Sequence, residues 1–524
     1  MKRVWTYLGS RLWSGRWIMA LLFLTACGVA DSGVELLVVQ KDGSGGGTVS
    51  ATSDNNKKPD QQEGGVDCGA RCQDWYYEGD TITLTATPNA DSVFSGWSGD
   101  CAGTTSPLSV VLGDHGGTCT ATFTSTVPPS IAVVTWTEAQ DVFVARSMDD
   151  GITFGTSINI SKSGAAFAPQ LTIEGDTVLI VWEQDEDGDG LGDIWVAHSG
   201  DGGVVFGDAQ KLSEGETAFG PQLVIEGDTV MVAWVDDPLG EIFTARSSDG
   251  GATFDTPANR SNTAGYSYVP RLAMEGELVM LAWSDDTPGS DDVFTVRSTD
   301  GGITFSGAFN LSDTPSVESL DPQLAIAGET VLAAWEEGRE IVIARSADRG
   351  DTFGPVGPLS NSGGGASFPQ IAVEGDAVLI IWEENGDILA AFSGAGGAGF
   401  DAPQNLSNSG PAASAVFAMG EGGALLVAWE DYSGNLSEIF SAYSSDFGET
   451  FGPAINVSNT VGESFFPRAA LAGDTLLVTW RDDTAGGNDI YVTRSTNSGL
   501  DFGTAVNVSD SDGSVGDSRI GFVP

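Results

Sequence analysis

SSDGGATF, residues Ser247–Phe254, is one of eight copies of a single short motif. The others are SMDDGITF from Ser147, SGDGGVVF from Ser199, STDGGITF from Ser298, SADRGDTF from Ser346, SGAGGAGF from Ser393, SSDFGETF from Ser444 and STNSGLDF from Ser495. Successive copies start 47 to 52 residues apart. That period suits one four-stranded blade of a β-propeller better than any other common repeat unit. Working outward from the box, each unit reads as a Pro-led strand (Pro221–Gly227, PQLVIEG), a GDT turn and a strand ending in Trp (Val230–Trp234). An acidic loop, a third strand (Glu241–Ser247), the box and a short strand ending in Asn-x-Ser complete it. The predicted class is all-β: a propeller of about eight four-stranded blades with a small N-terminal β-grasp-like domain.

Eight tryptophans, Trp136, Trp182, Trp234, Trp283, Trp335, Trp382, Trp429 and Trp480, recur with the boxes. They are expected between blades as core. The first unit, starting at Ile131, lacks a Pro-led strand, and Asp517–Pro524 (DSRIGFVP) aligns with the missing one. The C-terminus is therefore expected to close the ring and remove the open sheet edges. Seven or nine blades would follow if a terminal unit packed differently.

Hydrophobic residues make up 41% of the 524 and aromatics 9%, which excludes a disordered chain. The formal net charge of −51 excludes a nucleic-acid binder and favours cations or basic partners, or simple adaptation to salt. Four cations, Lys2, Arg3, Arg11 and Arg16, precede an apolar run over Trp17–Leu24 and then Cys27. That run is about half the roughly twenty residues a bilayer span needs. The segment resembles a bacterial lipoprotein signal peptide, residues 1–26. The resemblance implies lipidation of Cys27, an anchor linker over 27–32, and an outer-membrane or cell-surface location with membrane contact through the lipid only. Plain secretion is the alternative.

The four remaining cysteines, Cys68, Cys72, Cys101 and Cys119, fall in one short exported segment, which suits two disulfides. Three pairings are open; loop length favours Cys68 with Cys72 and Cys101 with Cys119. A zinc site is the rival, but the spacing lacks paired short knuckles. Residues 33–125, with GGGTVSAT, DCGARCQDWYYEGDTITLTATP, FSGWSGDCAG and CTATF, resemble the divergent internalin-type bacterial repeat, a module of surface proteins. The resemblance implies a spacer, followed by a Pro-rich linker at 126–130 and the propeller at 131–524.

The box resembles the Asp-box (BNR repeat) of sialidases, Ser-x-Asp-x-Gly-x-Thr-Phe. Its carboxylate can tie the hairpin and its Gly supply a positive φ, so its role is structural. Ala395 and Asn497 replace the Asp in two copies. The sialidase resemblance implies an enzyme only if three arginines grip a carboxylate beside a Tyr–Glu pair and an acidic residue. The residue after the strand-leading Pro is Gln170, Gln222, Gln323 and Gln370 in four units, but Arg271 and Arg468 in two, and Arg519 aligns with them. These three arginines form the candidate carboxylate clamp. The glutamines, with Tyr266 and Tyr268, make the candidate ligand face. The family's Arg-Ile-Pro motif is missing and no Tyr–Glu pair is assignable.

Paired acids after each Trp, from Glu138 and Asp141 in the first unit to Asp482 and Asp483 in the last, are expected to ring one face, attractive to Ca2+ or a cationic partner, or merely solvated. Asp185-x-Asp187-x-Asp189-Gly-Leu191-x-Asp193 has the alternate-carboxylate spacing of a short calcium loop. The resulting expectation is a monomeric surface protein that binds a glycan or protein on that face with calcium support and without catalysis. A sialidase-type exo-glycoside hydrolase is the alternative.

Overall fold

A computed structural model describes residues 33–523, apart from 44–45, 56–65, 67, 69–71, 90–91, 114, 127–128, 186–187, 189–191, 215–216, 238–239, 315, 362, 409, 485 and 510–514. Residues 1–26, expected to form a signal peptide, and Cys27 lie outside the described residues. The chain divides into two compact units, Met1–Val127 and Pro128–Pro524.

In the first unit, one sheet orders Gln73–Tyr77, Val34–Asp42, Gly117–Ser125 and Ser92–Gly99, and a second orders Gly47–Ser53, Thr81–Pro88 and Leu108–Val111. Along Thr81–Pro88 burial alternates from residue to residue, with Ile82, Leu84 and Ala86 inward. They join Leu37, Val49, Tyr76 and Phe123 in one core. Disulfides join Cys68 to Cys72 and Cys101 to Cys119, the pairing that loop length favours.

The second unit is a ring of eight four-stranded antiparallel sheets. Their inner strands are Val515–Val523 for blade 1, then Ala166–Glu174, Ala218–Glu226, Ser267–Glu275, Ser319–Ala327, Ala366–Glu374, Ala412–Met419 and Ser464–Ala472 for blades 2 to 8. Blade 1 takes its inner strand from the far end of the chain: Arg519 pairs with Thr135 and Val523 with Ile131. The second strands are apolar on both faces because each is covered by two neighbouring blades. In blade 4 every residue of Leu278–Asp285 is buried. All eight tryptophans are fully buried, and five stack on the ring opposite in the third strand, as Trp136 does on Phe143 with centroids 6.0 Å apart.

The box hairpins share one end of the ring. In blade 3, Ser247 Oγ donates to Asp249 Oδ1 at 2.7 Å, while the Thr253 N–H and Oγ1 donate to the two carboxylate oxygens at 2.8 and 2.6 Å. The hairpin closes over Gly251, whose φ is +86° and whose N–H meets Ser247 Oγ at 2.9 Å. Asn497 keeps the acceptor in the eighth copy, and in the sixth, with Ala395, Ser393 Oγ alone gathers the N–H groups. The arginine before the box reaches the next blade: the Nε of Arg246, Arg297 and Arg345 donates to the carbonyls of Gly301, Arg349 and Gly396, each at 2.6 Å.

The Ser that ends each unit, preceded by Asn two places earlier in six of the eight, has an equally local cause. Its Ser Oγ accepts the N–H of the second residue of the third strand in all eight blades, as in Ile242 N–H to Ser261 Oγ at 2.9 Å. In seven of the eight it donates to the carboxylate that opens that strand, as Ser213 does to Asp193 at 2.9 Å.

Candidate functional site

At the end of the ring opposite the boxes, the inner strands open with a register shift followed by Pro in six of the eight blades. In seven blades the residue two before the Gln/Arg position has φ between +50° and +65°: Ala168, Gly220, Val269, Asp321, Phe368, Ser414 and Phe466. Only the glycine adopts this region without strain, and such bulges re-aim the side chains around them. Gln170, Gln222, Arg271, Gln323, Gln370, Val416, Arg468 and Arg519 then occupy one register, each opposite the residue before the blade's Trp.

The clamp divides. Arg468 on blade 8 and Arg519 on blade 1 are neighbours in the ring, but Arg271 lies on blade 4, half a turn away. A single carboxylate gripped by all three is therefore not what the ring assembles. Arg468 and Arg519 donate through Nη1 to the carbonyls of Pro467 and Ser518, at 2.7 and 2.8 Å, and Arg519 Nε donates to Gln170 Oε1 at 3.0 Å. Neither forms an ion pair among the described residues. Burial pushes both guanidinium pKa values down, that of Arg519 to about 9 with Arg468 as the second cause; Asp517 opposes the shift in both.

Beside this pair the structure places a contact that the sequence did not disclose: the Tyr432 hydroxyl donates to Glu430 Oε2. Glu430 Oε1 also accepts the N–H of Phe466, at 2.6 Å. Burial, then the contact with Glu430, pushes the Tyr432 phenol up and keeps it protonated. Glu430 and Tyr432 flank Asp431 at the end of the strand that carries Trp429, and that i, i+2 spacing is the one signal the sequence offered.

Arg271 has different company. Its Nη1 donates to the Pro270 carbonyl at 3.0 Å, and Asp321 is the nearest countercharge opposing the burial that lowers its pKa. Tyr266 and Tyr268 stand together with ring centroids 6.4 Å apart. Of the glutamines, Gln370 bridges to the carbonyl of Ala415 in the next blade and Gln222 returns to its own Pro221.

The expected ring of open carboxylates is corrected by their contacts. Acids two places after the Trp accept its indole N–H, as Glu138, Asp285, Glu337, Glu384 and Asp482 do. Glu183, Glu383 and Glu430, one place after it, accept N–H groups of the next blade from Gly220, Ser414 and Phe466. Asp285 is fully buried; burial opposes its ionisation, yet the hydroxyls of Ser267, Thr287 and Thr263 hold its carboxyl below the usual range. These acids are therefore taken up by contacts, five within their own blade and three with the next, rather than left to face a partner. The residues expected to form a calcium loop are described only in part. Asp193 receives Lys211 Nζ at 2.6 Å and Ser213 Oγ at 2.9 Å, the strand-opening position repeated around the ring. Asp185 Oδ1 accepts the Gly188 N–H at 2.7 Å, and Asp187, Asp189 and Leu191 lie outside the described residues.

The sequence model of the divergent InlB B-repeat domain matches residues 57–127. No curated protein matches the chain. Among solved structures the chain is similar to a protein of unknown function from Dyadobacter fermentans, at 14% identity over 63% of this chain and 94% of that one, TM-score 0.38. An α-L-arabinanase from Penicillium chrysogenum shares 15% identity over 55% and 94% of the two chains, TM-score 0.36. An ulvan lyase of polysaccharide lyase family 25 shares 13% over 59% and 89%, TM-score 0.41.

Proposed function

We propose that this protein is a lipid-anchored bacterial surface protein that recognises a carboxylated glycan at the loop end of its propeller, with Arg468 and Arg519 gripping the carboxylate and no turnover. The observation that carries this reading is the guanidinium pair itself. Two half-buried cations at one register on the adjoining blades 8 and 1 repel each other; Asp517 and, for Arg468, Glu430 favour their charge from beyond contact, but no carboxylate among the described residues forms an ion pair with either. A ligand carboxylate would supply that partner through charge-assisted, bidentate bonds. Phe465, Phe466 and Gln170 give the same corner apolar and amide surface. Calcium belongs to this reading through Asp185, Asp187 and Asp189, and titration calorimetry of Asp187→Ala/Asp189→Ala against the unmutated protein tests it. For the glycan, calorimetry with glucuronic acid should show binding that Arg519→Gln weakens by about tenfold or more. Absence of binding by the unmutated protein would sink the reading.

A second reading, an exo-acting glycoside hydrolase of the sialidase type, is favoured by the Tyr432–Glu430 contact beside Arg468. Tyr432 would serve as nucleophile with Glu430 taking its proton. Hydrolysis of a fluorogenic sialoside that Tyr432→Phe abolishes would establish it over the binding reading.

A further inference from the structure

Blades 4 and 8 carry the same corner twice. SNTAGYSYVPR at Ser261–Arg271 matches SNTVGESFFPR at Ser458–Arg468, and the loops after their tryptophans share Asp-Asp-Thr at Asp285–Thr287 and Asp482–Thr484. The contacts repeat one for one. Thr263 and Ser267 donate to Asp285 at 2.7 and 2.6 Å, as Thr460 and Ser464 do to Asp482 at 2.9 and 2.8 Å. The Gly265 and Gly462 N–H groups reach Thr287 and Thr484 Oγ1 at 2.9 and 3.0 Å. Each corner ends in an arginine, Arg271 or Arg468, whose next blade brings an aspartate to the bulge register, Asp321 or Asp517. No other inner strand carries a carboxylate at that place. Four blade steps apart in a ring of eight, the two corners lie on opposite sides of the ring.

They differ in charge. Where blade 1 places Arg519 beside Arg468, blade 5 places Gln323 beside Arg271. The blade 5 side adds Glu336 instead, across the strand pair from Leu320. Glutamates at its register in blades 2, 6 and 7 are used up in accepting an N–H from the following blade, but Glu336 has no such bond among the described residues, and neither has Asp321. Two partly buried carboxyls thus lie near each other without an N–H partner among the described residues, Asp321 facing Arg271 and acting on Glu336, with Tyr268 beside Asp321.

We infer that this corner is a second sugar subsite, formed by Arg271, Asp321, Glu336 and Tyr268, for an uncharged unit of the same glycan chain whose acidic unit sits at Arg468 and Arg519. A neutral sugar offers hydroxyl donors to the two carboxyls, an oxygen acceptor to the guanidinium, and a C–H face to the tyrosine ring. A second acidic unit would meet two like charges there. One chain spanning the channel would hold both corners, and the second contact then forms at a high effective concentration.

The inference rests on the acidic-glycan reading of the Arg468–Arg519 corner, and the test separates the two. Calorimetry on the full chain compares glucuronic acid with a hexasaccharide in which glucuronic acid alternates with N-acetylglucosamine. The hexasaccharide should bind at least about tenfold more tightly. The near-isosteric double variant Asp321→Asn/Glu336→Gln, checked for an intact melting transition, should cancel that gain so that the two ligands bind alike. Equal affinities in the unmutated protein, or a gain that survives in the double variant, overturn the second subsite and leave the arginine pair standing. Failure of glucuronic acid to bind overturns the arginine reading and the subsite with it.

Discussion

Arg519 Nε donates to Gln170 Oε1 at 3.0 Å, so the last strand of the propeller is tied to the inner strand of blade 2, 349 residues earlier. The final strand therefore serves twice: it completes the sheet of blade 1 and supplies one guanidinium of the candidate anion site.

Removing residues 515–524 should abolish both. The strand Ile131–Glu138 would keep Asp141–Ser147 but lose its partner on the inner side and expose a long apolar edge. The expected outcome is loss of the cooperative thermal transition and concentration-dependent association by light scattering. A monomer with an intact transition would show that the ring closes without its last strand.

Anion binding should fade with alkali. With its pKa lowered to about 9, Arg519 is charged below that pH and loses its charge above it, so glucuronic acid affinity should fall as pH rises through about 9. Arg519→Gln should weaken binding by roughly ten- to a hundredfold at pH 7, the usual worth of a hydrogen bond to a charged group. An affinity flat to pH 11 would count against the pair.

The same depressed pKa affects folding with the opposite sign. The unfolded chain binds the Arg519 proton more tightly than the native one between about pH 9 and the ordinary arginine range, so this group makes stability rise with pH across that window. Denaturant titrations should show a shallower rise for Arg519→Gln.

Ser261→Ala removes the acceptor for the Ile242 N–H and the donor to Glu241 at a buried position. Leaving that N–H unsatisfied should cost about 1–3 kcal/mol in chemical denaturation.

Asp249 has its carboxyl drawn down to about 2 by the Thr253 hydroxyl, the Thr253 N–H and Ser247. Its unfolded value lies near the ordinary carboxylate figure of about 3.9, so the stability it contributes is present above about pH 4 and lost as pH falls towards 2. Asp249→Ala should therefore be less stable than the unmutated protein at pH 7, with the gap closing near pH 2. A gap independent of pH would assign the effect to packing.

The sequence alone determined the repeat, the all-β class and the disulfide partners favoured by loop length. Each follows from features close together in the chain: a period near fifty residues, a fully apolar second strand with its Trp, cysteines a short loop apart. Tertiary structure alone decided the site. Acids that read along the chain as an open rim are taken up by indole N–H groups and serine hydroxyls of their own blade, which meet when its strands pair, and by the backbone of the next blade, which meets them only when neighbouring sheets are in register. Arg271, Arg468 and Arg519 look alike in sequence, but placement around the ring separates one from the other two. Tyr432 and Glu430 are two residues apart in the chain, yet their nearness to Arg468 depends on blades 7 and 8 lying side by side. A propeller's core is written within each blade, whereas its mouth is written between blades, where the chain supplies one residue at a time from strands some fifty residues apart.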